Sequence, residues 1–171
     1  MDRAVRGFLL SMGLLIAACN PGSGTRCGDA VCNDAEYCVD DLYQCGASPA
    51  ASLHCATRGA LCPAMSAPVC GCDGAVYDSA CVAAVAGHDL SVLGACAAQP
   101  GQFRCGYRVC EGAQYCQRTT SDVGGTPDAY DCLTLPAACT GAIGCGCLSG
   151  VNCGDTCTAS GAQLTVTCPG G

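Results

Sequence analysis

The chain has 171 residues, of which 21 are cysteine, 24 are glycine, 2 are phenylalanine and none is tryptophan. These are too few large side chains for an ordinary hydrophobic core, so covalent cross-links must supply part of the stability. The formal net charge is −7 and lysine is absent. This balance argues against a nucleic-acid partner and against electrostatic attachment to an anionic membrane.

Residues 1–18 predict a signal peptide. Arg3 and Arg6 precede an apolar run from Gly7 to Ala18. The run is shorter than the roughly 20 residues that a transmembrane helix needs, and its flanks are those of an export signal. The pattern therefore favours an exported protein, in a compartment where disulfides form.

The signal ends in the sequence Ile-Ala-Ala-Cys19, which resembles the lipobox of bacterial lipoproteins. The resemblance implies a lipid on Cys19, a lipidated tether over residues 19–26 and a bacterial cell envelope location, with the outer membrane favoured. The alternative is a secreted protein that is cut near Ala18 and uses Cys19 in a disulfide. Parity favours the lipid, because 21 cysteines less Cys19 leave an even 20.

An internal repeat divides the rest of the chain. "RCGDAVCNDAEYC" begins at Arg26 and "RCGYRVCEGAQYC" at Arg104, and both read C-x4-C-x5-C with matching Gly, Val and Tyr positions. The repeat predicts a first module over residues 27–96, a linker over 97–104 and a second module over 105–168. Each module contains ten cysteines and can close on itself with five disulfides: Cys27, 32, 38, 45, 55, 62, 70, 72, 81 and 96, then Cys105, 110, 116, 132, 139, 145, 147, 153, 157 and 168.

The stretch "PVCGCDGAVYDSAC", from Pro68 to Cys81, resembles the signature of Kazal domains. The gaps from Cys62 to Cys70 and from Cys70 to Cys81, and the position of Tyr77, agree with that family. The preceding C-x4-C-x5-C resembles the hairpin of follistatin-like domains. The resemblance implies a small disulfide-rich α+β fold of two tandem follistatin/Kazal-like modules, each with an N-terminal hairpin and a short helix on a small antiparallel sheet, the second module being degenerate.

The resemblance also implies disulfide pairings. In the first module it gives Cys27–Cys38, Cys62–Cys81 and Cys70–Cys96 and leaves Cys32 with Cys45 or Cys55; we favour Cys32–Cys55 with Cys45–Cys72. Carried to the second module, it gives Cys105–Cys116, Cys110–Cys132, Cys139–Cys157 and Cys145–Cys168, with Cys147–Cys153 as a local closure. Cys45 and Cys153 have no counterpart in the other module, so their partners are the least constrained.

Local chemistry predicts a helix over Ala80–Ala86. Asp78 or Ser79 can cap its start, the interior is rich in alanine, and Gly87 suits a left-handed stop. Asp73-Gly74 is a turn pair, and Val76-Tyr77 and Leu90 to Leu93 could pair as short strands.

In Kazal inhibitors a protease-binding loop begins at the cysteine that corresponds to Cys62. The resemblance therefore implies a protease-contact loop over Leu61, Cys62, Pro63, Ala64, Met65, Ser66 and Ala67, with Ala64 in the primary specificity pocket of the protease. Pro63 is expected to hold Leu61–Ala64 extended. A small residue at the contact position favours an elastase- or subtilisin-like serine protease as the partner.

The alternative is a non-inhibitory cell-envelope lipoprotein whose braced modules form a protein-binding or structural surface. Ser79 and Val76 favour it, because they replace the Asn and Thr of many Kazal inhibitors, and Gly141 offers the second module no contact side chain. No nucleophile with a base and an orienting group is recognisable, so we expect no enzyme activity and no cofactor. We also expect no metal site, because C-x2-C pairs are absent and the cysteine count favours disulfides.

Overall fold

The structure is a computed structural model that describes residues 24–94, 96–151, 153 and 156–170. The signal peptide, the lipidation of Cys19 and most of the tether lie outside the described residues and stay predictions. In the described part of the chain, no helix has the length and apolar character needed to cross a membrane.

Short strands and one helix make up the first module. Their bounds are Thr25–Cys27 (β1), Ala30–Cys32 (β2), Glu36–Asp40 (β3), Leu53–Thr57 (β4), Val69–Cys70 (β5), Val76–Tyr77 (β6) and Ala80–Ala86 (α1), with a 3-10 turn at Ala50–Ser52. Strand β1 pairs with β2, β3 with β4 and β5 with β6, and all three pairs are antiparallel.

The second module has more strand and, within the described residues, no α-helix. The bounds of its strands are Gln102–Cys105 (β7), Arg108–Glu111 (β8), Gln114–Thr119 (β9), Ala129–Thr134 (β10), Thr156–Ser160 (β11) and Gln163–Cys168 (β12), with 3-10 turns at Ala137–Thr140 and Cys145–Leu148. Four of these strands form a sheet in the order β10-β9-β12-β11, in which β9 and β12 are parallel.

The small disulfide-rich α+β class with two sheet-bearing modules is confirmed. Among the described residues of the second module, however, the expected helix is absent and the sheet is not purely antiparallel. The residues between β10 and β11 are rich in glycine, which disfavours an α-helix. The two 3-10 turns occupy that segment instead.

The two modules share a sheet, with strand order β6-β5-β8-β7. Val69 in β5 is the register partner of Arg108 in β8. Since β7 begins at Gln102, a strand also occupies part of the segment expected as the linker 97–104.

Helix α1 follows the local chemistry. The Oγ of Ser79 accepts a hydrogen bond from the N–H of Val82 at 3.3 Å, and Gly87 ends the helix with a φ of 85°. The predicted cap, span and stop are therefore confirmed. The expected pairing of Val76-Tyr77 with Leu90 to Leu93 is wrong, because β6 pairs with β5, while Leu90 and Ser91 bridge Gly71 and Gln44.

All twenty cysteines from Cys27 to Cys168 form disulfides, and every disulfide stays within its module. Seven pairs agree with the expected pairings: Cys27–Cys38, Cys32–Cys55, Cys45–Cys72, Cys62–Cys81, Cys70–Cys96, Cys105–Cys116 and Cys110–Cys132. The open choice for Cys32 is thus resolved in favour of Cys55.

The three remaining pairings of the second module are corrected. The structure has Cys139–Cys147, Cys145–Cys157 and Cys153–Cys168 in place of Cys139–Cys157, Cys145–Cys168 and Cys147–Cys153. The expected pair Cys139–Cys157 treats Cys157 as the counterpart of Cys81, which lies on helix α1. Cys157 lies on strand β11 instead. The contacting 3-10 turns bring Cys139 and Cys147 together instead.

Cysteine sulfur fills much of the interior. Half of the buried apolar residues are cysteines, and the largest fully buried side chains are only those of Leu164, Val69, Val109 and Val166. The core is divided into four small clusters, two of which centre on disulfides. Cross-links therefore replace the large side chains that the composition lacks.

Candidate functional site

The predicted contact loop is an exposed segment between strands β4 and β5, tied to helix α1 by the Cys62–Cys81 disulfide. Leu61 is 92% exposed and Met65 is 70% exposed. Pro63, Ala64 and Ser66 are also exposed, while Cys62 and Ala67 are half-buried at the two ends. The side chains that would meet a protease are therefore open to solvent.

Both ends of the loop are anchored. The Cys62–Cys81 disulfide ties the entry to α1, with 5.7 Å between the two Cα atoms. At the exit, the N–H of Ala67 donates to the carbonyl oxygen of Asp78 at 2.8 Å. Beyond it, Val69 is fully buried and Cys70 is bonded to Cys96. Fixed ends lower the entropy that the loop loses when a partner binds.

The backbone at Ala64 is not extended as the sequence predicts. The N–H of Met65 donates to the carbonyl oxygen of Pro63 at 2.8 Å and closes a three-residue turn centred on Ala64. Ala64 has a negative φ, which makes this the relaxed, inverse form of the turn. Extension of the loop in a protease cleft would break this single hydrogen bond, at a net cost of about 1 kcal/mol.

Apolar side chains border the loop. A shallow cleft is lined by Cys62 to Ser66, Asp78 and Val82. Val82 in α1 lines this cleft together with Met65, and the side chains of Leu61, Met65, Val82 and Val85 are all exposed. Exposed apolar side chains beside an anchored loop are typical of a protein-binding surface.

Ser79 does not brace the loop. Its side chain caps α1 through the N–H of Val82, so its hydroxyl is engaged on the helix. The loop exit is held by the backbone of the preceding residue, Asp78, instead. Bracing therefore comes from the main chain and the disulfides.

A small polar network supports the β5–β6 turn beneath the loop exit. The hydroxyl of Tyr77 donates to a carboxylate oxygen of Asp73 at 2.8 Å, and the Tyr77 ring stacks on His88 at 5.9 Å. Desolvation and the bond to Asp73 raise the pKa of Tyr77 to about 12. Desolvation alone would raise the pKa of Asp73, but the bonds from Tyr77 and from the N–H of Ala75 hold it below its usual value.

Asp40, to which the sequence analysis assigns no role, is a buried residue that joins several backbone segments of the first module by hydrogen bonds. It is 1% exposed and accepts hydrogen bonds from the N–H groups of Leu42 at 3.0 Å and Gly46 at 2.9 Å. Its own N–H donates to the carboxylate of Asp89 at 2.8 Å. Desolvation opposes ionisation of Asp40, but the neighbouring Ser48 and the bonds from the N–H groups of Leu42 and Gly46 keep its pKa below the usual value. Desolvation raises the pKa of Asp89.

The Asp40 bonds fix a turn with left-handed residues, since Tyr43 has a φ of 55° and Cys45 a φ of 57°. The sequence carries a signal for this turn, because Asp at the end of a strand often accepts a hydrogen bond from the backbone N–H two residues on. The partnership with Asp89 joins distant parts of the chain and leaves no such local signal.

The corresponding segment of the second module forms no comparable loop. Cys139 is buried in a 3-10 turn and Gly141 follows that turn with a φ of −99°. The Cys139–Cys147 disulfide closes the segment on itself rather than on a helix. Residues 140–143 are exposed, but the position that corresponds to Ala64 is Gly141, which has no side chain to offer a protease pocket.

The described residues contain two groups of three cysteines, and within each group the three sulfur atoms lie within 4.8 Å of one another. The groups are Cys27, Cys32 and Cys55, and Cys105, Cys110 and Cys132. Every one of these sulfurs belongs to a disulfide. A metal binds the thiolate form, which a disulfide sulfur cannot provide. The groups are the packed disulfides at the base of each hairpin.

Comparison with known families identifies the site region. Residues 49–97 match the family model described as the Kazal-type serine protease inhibitor domain. The chain carries a Kazal-type domain. No curated protein and no solved structure matches the chain.

The Kazal-type domain contains the whole predicted contact loop together with β5, β6 and α1. It also contains both cysteines of the Cys62–Cys81 and Cys70–Cys96 disulfides that anchor the loop. The β1–β2 hairpin and the second module lie outside the matched residues. The match is therefore to the part of the chain in which the exposed loop lies.

Proposed function

We propose that the protein is an exported inhibitor of a serine protease and binds it through the Cys62–Cys70 loop. The observation that carries this proposal is the exposed loop inside the Kazal-type domain, anchored by Cys62–Cys81 at its entry and by the Ala67–Asp78 bond at its exit. A protease would accept the loop as a substrate while the anchors prevent its departure.

Ala64 is the proposed contact residue in the primary specificity pocket. Its methyl group suits a small apolar pocket of the elastase- or subtilisin-like kind, and exposed Met65 offers apolar surface beside it. A protease that selects basic residues has a deep acidic pocket, which Ala64 would leave unfilled. We therefore expect inhibition of small-pocket proteases and no inhibition of basic-specific ones.

The anchors also explain how a cut loop could still inhibit. Hydrolysis of the Ala64–Met65 bond leaves Ala64 attached through Cys62–Cys81 and Met65 attached through Ala67 and β5. Neither new end can diffuse away, so the two ends stay placed for resealing. The inhibitor would then be released slowly and mostly intact.

Inhibition constants against elastase-like, subtilisin-like and trypsin-like proteases test this proposal. Ala64→Arg should lose at least about 100-fold in affinity for the small-pocket enzymes, because a buried charge must enter an apolar pocket. The same variant should gain measurable affinity for the trypsin-like enzyme. Gly141→Arg, at the corresponding position of the second module, is the matched control and should change neither.

The inhibitor proposal fails if the folded protein slows none of these proteases at micromolar concentration. The loop and its apolar border would then be a binding or structural surface for another extracellular protein, which is the alternative role. If the protein inhibits a protease and Ala64→Arg leaves the inhibition constant unchanged, the inhibition does not depend on residue 64.

We further propose that a lipid on Cys19 anchors the protein to a bacterial envelope membrane, with residues 19–26 as the lipidated tether. Its last two residues, Thr25 and Arg26, begin strand β1. The support is the apolar run that ends in Ala-Ala-Cys19 and the even number of remaining cysteines. Mass spectrometry of the mature N-terminus should find a diacylated Cys19, and Cys19→Ser should release the protein from membranes. An unmodified Cys19 thiol, or a free N-terminus elsewhere, would exclude the anchor.

A further inference from the structure

The strand that leaves the contact loop is held by the second module. One edge of β5 pairs with β6. On the other edge, the N–H of Cys70 donates to the carbonyl oxygen of Tyr107 at 2.8 Å, and the N–H of Val109 donates to the carbonyl oxygen of Pro68 at 2.9 Å. Pro68 directly follows Ala67, so the second module binds the first backbone group beyond the loop.

The first module itself covers only the part of this β5 edge that lies farther from the contact loop. The N–H of Ser91 donates to the carbonyl oxygen of Cys70 at 2.8 Å, and Gly71 bridges Leu90. These contacts lie on the side of β5 away from the loop. Strand β8 therefore covers the loop-side half of the edge.

Side chains reinforce the backbone pairing. Val109 is 1% exposed and packs in one cluster with Cys70 and Cys96, the disulfide at the end of β5. The ring of Tyr107 lies 4.8 Å from that of Tyr43 in the first module and 5.5 Å from that of Tyr130 in its own. The joint between the modules is thus packed at Val109 in β8 and at Tyr107 directly before it.

The equivalent hairpin of the first module has no such contact. In the repeat, Val31 corresponds to Val109, but Val31 is 61% exposed and β1–β2 is an isolated two-stranded sheet. Between the matching glycine and valine, the first repeat has Asp29-Ala30 where the second has Tyr107-Arg108. Over the seven residues from Arg to the second Cys, the β7–β8 hairpin, which pairs with β5, and the β1–β2 hairpin, which does not, therefore differ only at these two positions.

We propose that Tyr107 and Arg108 are positioning residues, which dock β8 on β5 and thereby hold the exit of the contact loop. The hold on β5 is a property of the fold. Its effect on inhibition rests on the proposed function of the loop.

The consequence for inhibition concerns the lifetime of the complex. Hydrolysis adds one water across the Ala64–Met65 bond and gives a carboxylate on Ala64 and an amine on Met65. A fixed Pro68 keeps that amine close to the acyl carbon, which favours resealing with loss of the water. A loose exit lets the amine move away, so the cut form accumulates. We therefore expect undocked variants to bind the protease at first and then to be consumed.

The double variant Tyr107→Asp/Arg108→Ala gives the second hairpin the residues of the first, a sequence that already forms this hairpin at β1–β2. The reciprocal variant Asp29→Tyr/Ala30→Arg is the matched control, because Asp29 and Ala30 are exposed and their hairpin β1–β2 pairs with no described strand of the other module. Tyr107→Phe is the conservative variant and should preserve docking.

Hydrogen exchange tests the hold without a protease. In the double variant, exchange of the Cys70 and Val109 amides should be at least about tenfold faster, because their acceptors lie across the joint. Amides in β9 and β12 should be unchanged, as should all amides in the reciprocal variant. Unchanged exchange at Cys70 overturns the proposal, and so does an equal acceleration in β9 and β12, which would show general loosening.

The inhibition arm measures the initial inhibition constant and the cut fraction after prolonged incubation. The double variant should keep its initial constant within about threefold and should be cut about tenfold faster at Ala64–Met65, while Tyr107→Phe resembles the parent protein. Faster exchange without faster cutting overturns the role in inhibition. If the parent protein inhibits nothing, the proposed function and that role fail together, and the exchange result alone decides the hold on β5.

Discussion

The two modules begin alike and end differently. Each opens with a hairpin whose cysteines form equivalent disulfides, Cys27–Cys38 and Cys32–Cys55 in one and Cys105–Cys116 and Cys110–Cys132 in the other. After that shared beginning, the first module builds an anchored loop and a helix, whereas the second builds a four-stranded sheet. Two crossed disulfides thus preserve a hairpin while the chain around it diverges in structure and in role.

The sharpest difference should appear when the disulfide at the start of the corresponding loop is removed from each module. Cys62→Ser/Cys81→Ser should weaken protease inhibition by more than about 100-fold, because the contact loop loses its entry anchor. Cys139→Ser/Cys147→Ser should change the inhibition constant by less than about threefold, although each loss costs roughly 2–4 kcal/mol of stability. Inhibition constants measured on folded protein check both, and equal losses would show that the second module contacts the protease directly.

The glycine after the first cysteine of each module offers a matched pair for stability. Gly28 and Gly106 both have a φ of 58°, so alanine at either position is strained. At Gly106 a Cβ would also fall on the ring of Tyr130, whereas at Gly28 its nearest neighbours are 3.3 Å away. Gly106→Ala should therefore cost about 3–5 kcal/mol and Gly28→Ala about 1–2 kcal/mol. Denaturant unfolding under non-reducing conditions measures the difference.

The repeated valine tests the joint between the modules. Val109→Ala should lower the free energy of unfolding by about 2 kcal/mol, because it removes buried methyl groups between β8 and β5. Val31→Ala, the same change at an exposed position, should stay within about 0.5 kcal/mol. Similar losses for the two variants in denaturant unfolding would mean that β1–β2 also docks in solution.

The smallest expected effect is the part of the alkaline pH dependence that Tyr77 of the first module contributes. The pKa of Tyr77 is raised to about 12, above the value of about 10 for an unfolded tyrosine. The unfolded chain therefore loses this proton first, and stability falls as the pH rises from about 10 towards 12. Tyr77→Phe should flatten this part of the curve. Unfolding at several alkaline pH values, with tyrosinate absorbance, checks it, and an unchanged slope would contradict the Tyr77–Asp73 bond.

Local sequence was sufficient where one residue decides the backbone. Ser79 caps α1 and Gly87 ends it, as their chemistry predicts. The first module's disulfides followed from cysteine spacing that resembles a known family. The same reasoning failed in the second module, because Cys157 lies on a strand and a glycine-rich stretch cannot supply the helix that the pairing assumes.

Long-range contacts were beyond the sequence pattern. Val31 and Val109 occupy the same place in the repeat, yet one is exposed and the other buried, since burial depends on which strand lies opposite. The Asp40–Asp89 bond similarly joins segments that local chemistry does not connect. The turn at Ala64 also departs from the expectation, because the effect of Pro63 on its neighbours leaves room for a bend one residue later.

The shared sheet has a consequence for the order of folding during synthesis. A chain emerges from its N-terminal end. Until Val109 has emerged, the loop-side edge of β5 has no strand to pair with, although every cysteine of the first module is already present. An open strand edge is a site for association with other chains, so the nascent first module would be vulnerable for the time that the ribosome takes to add the following hairpin.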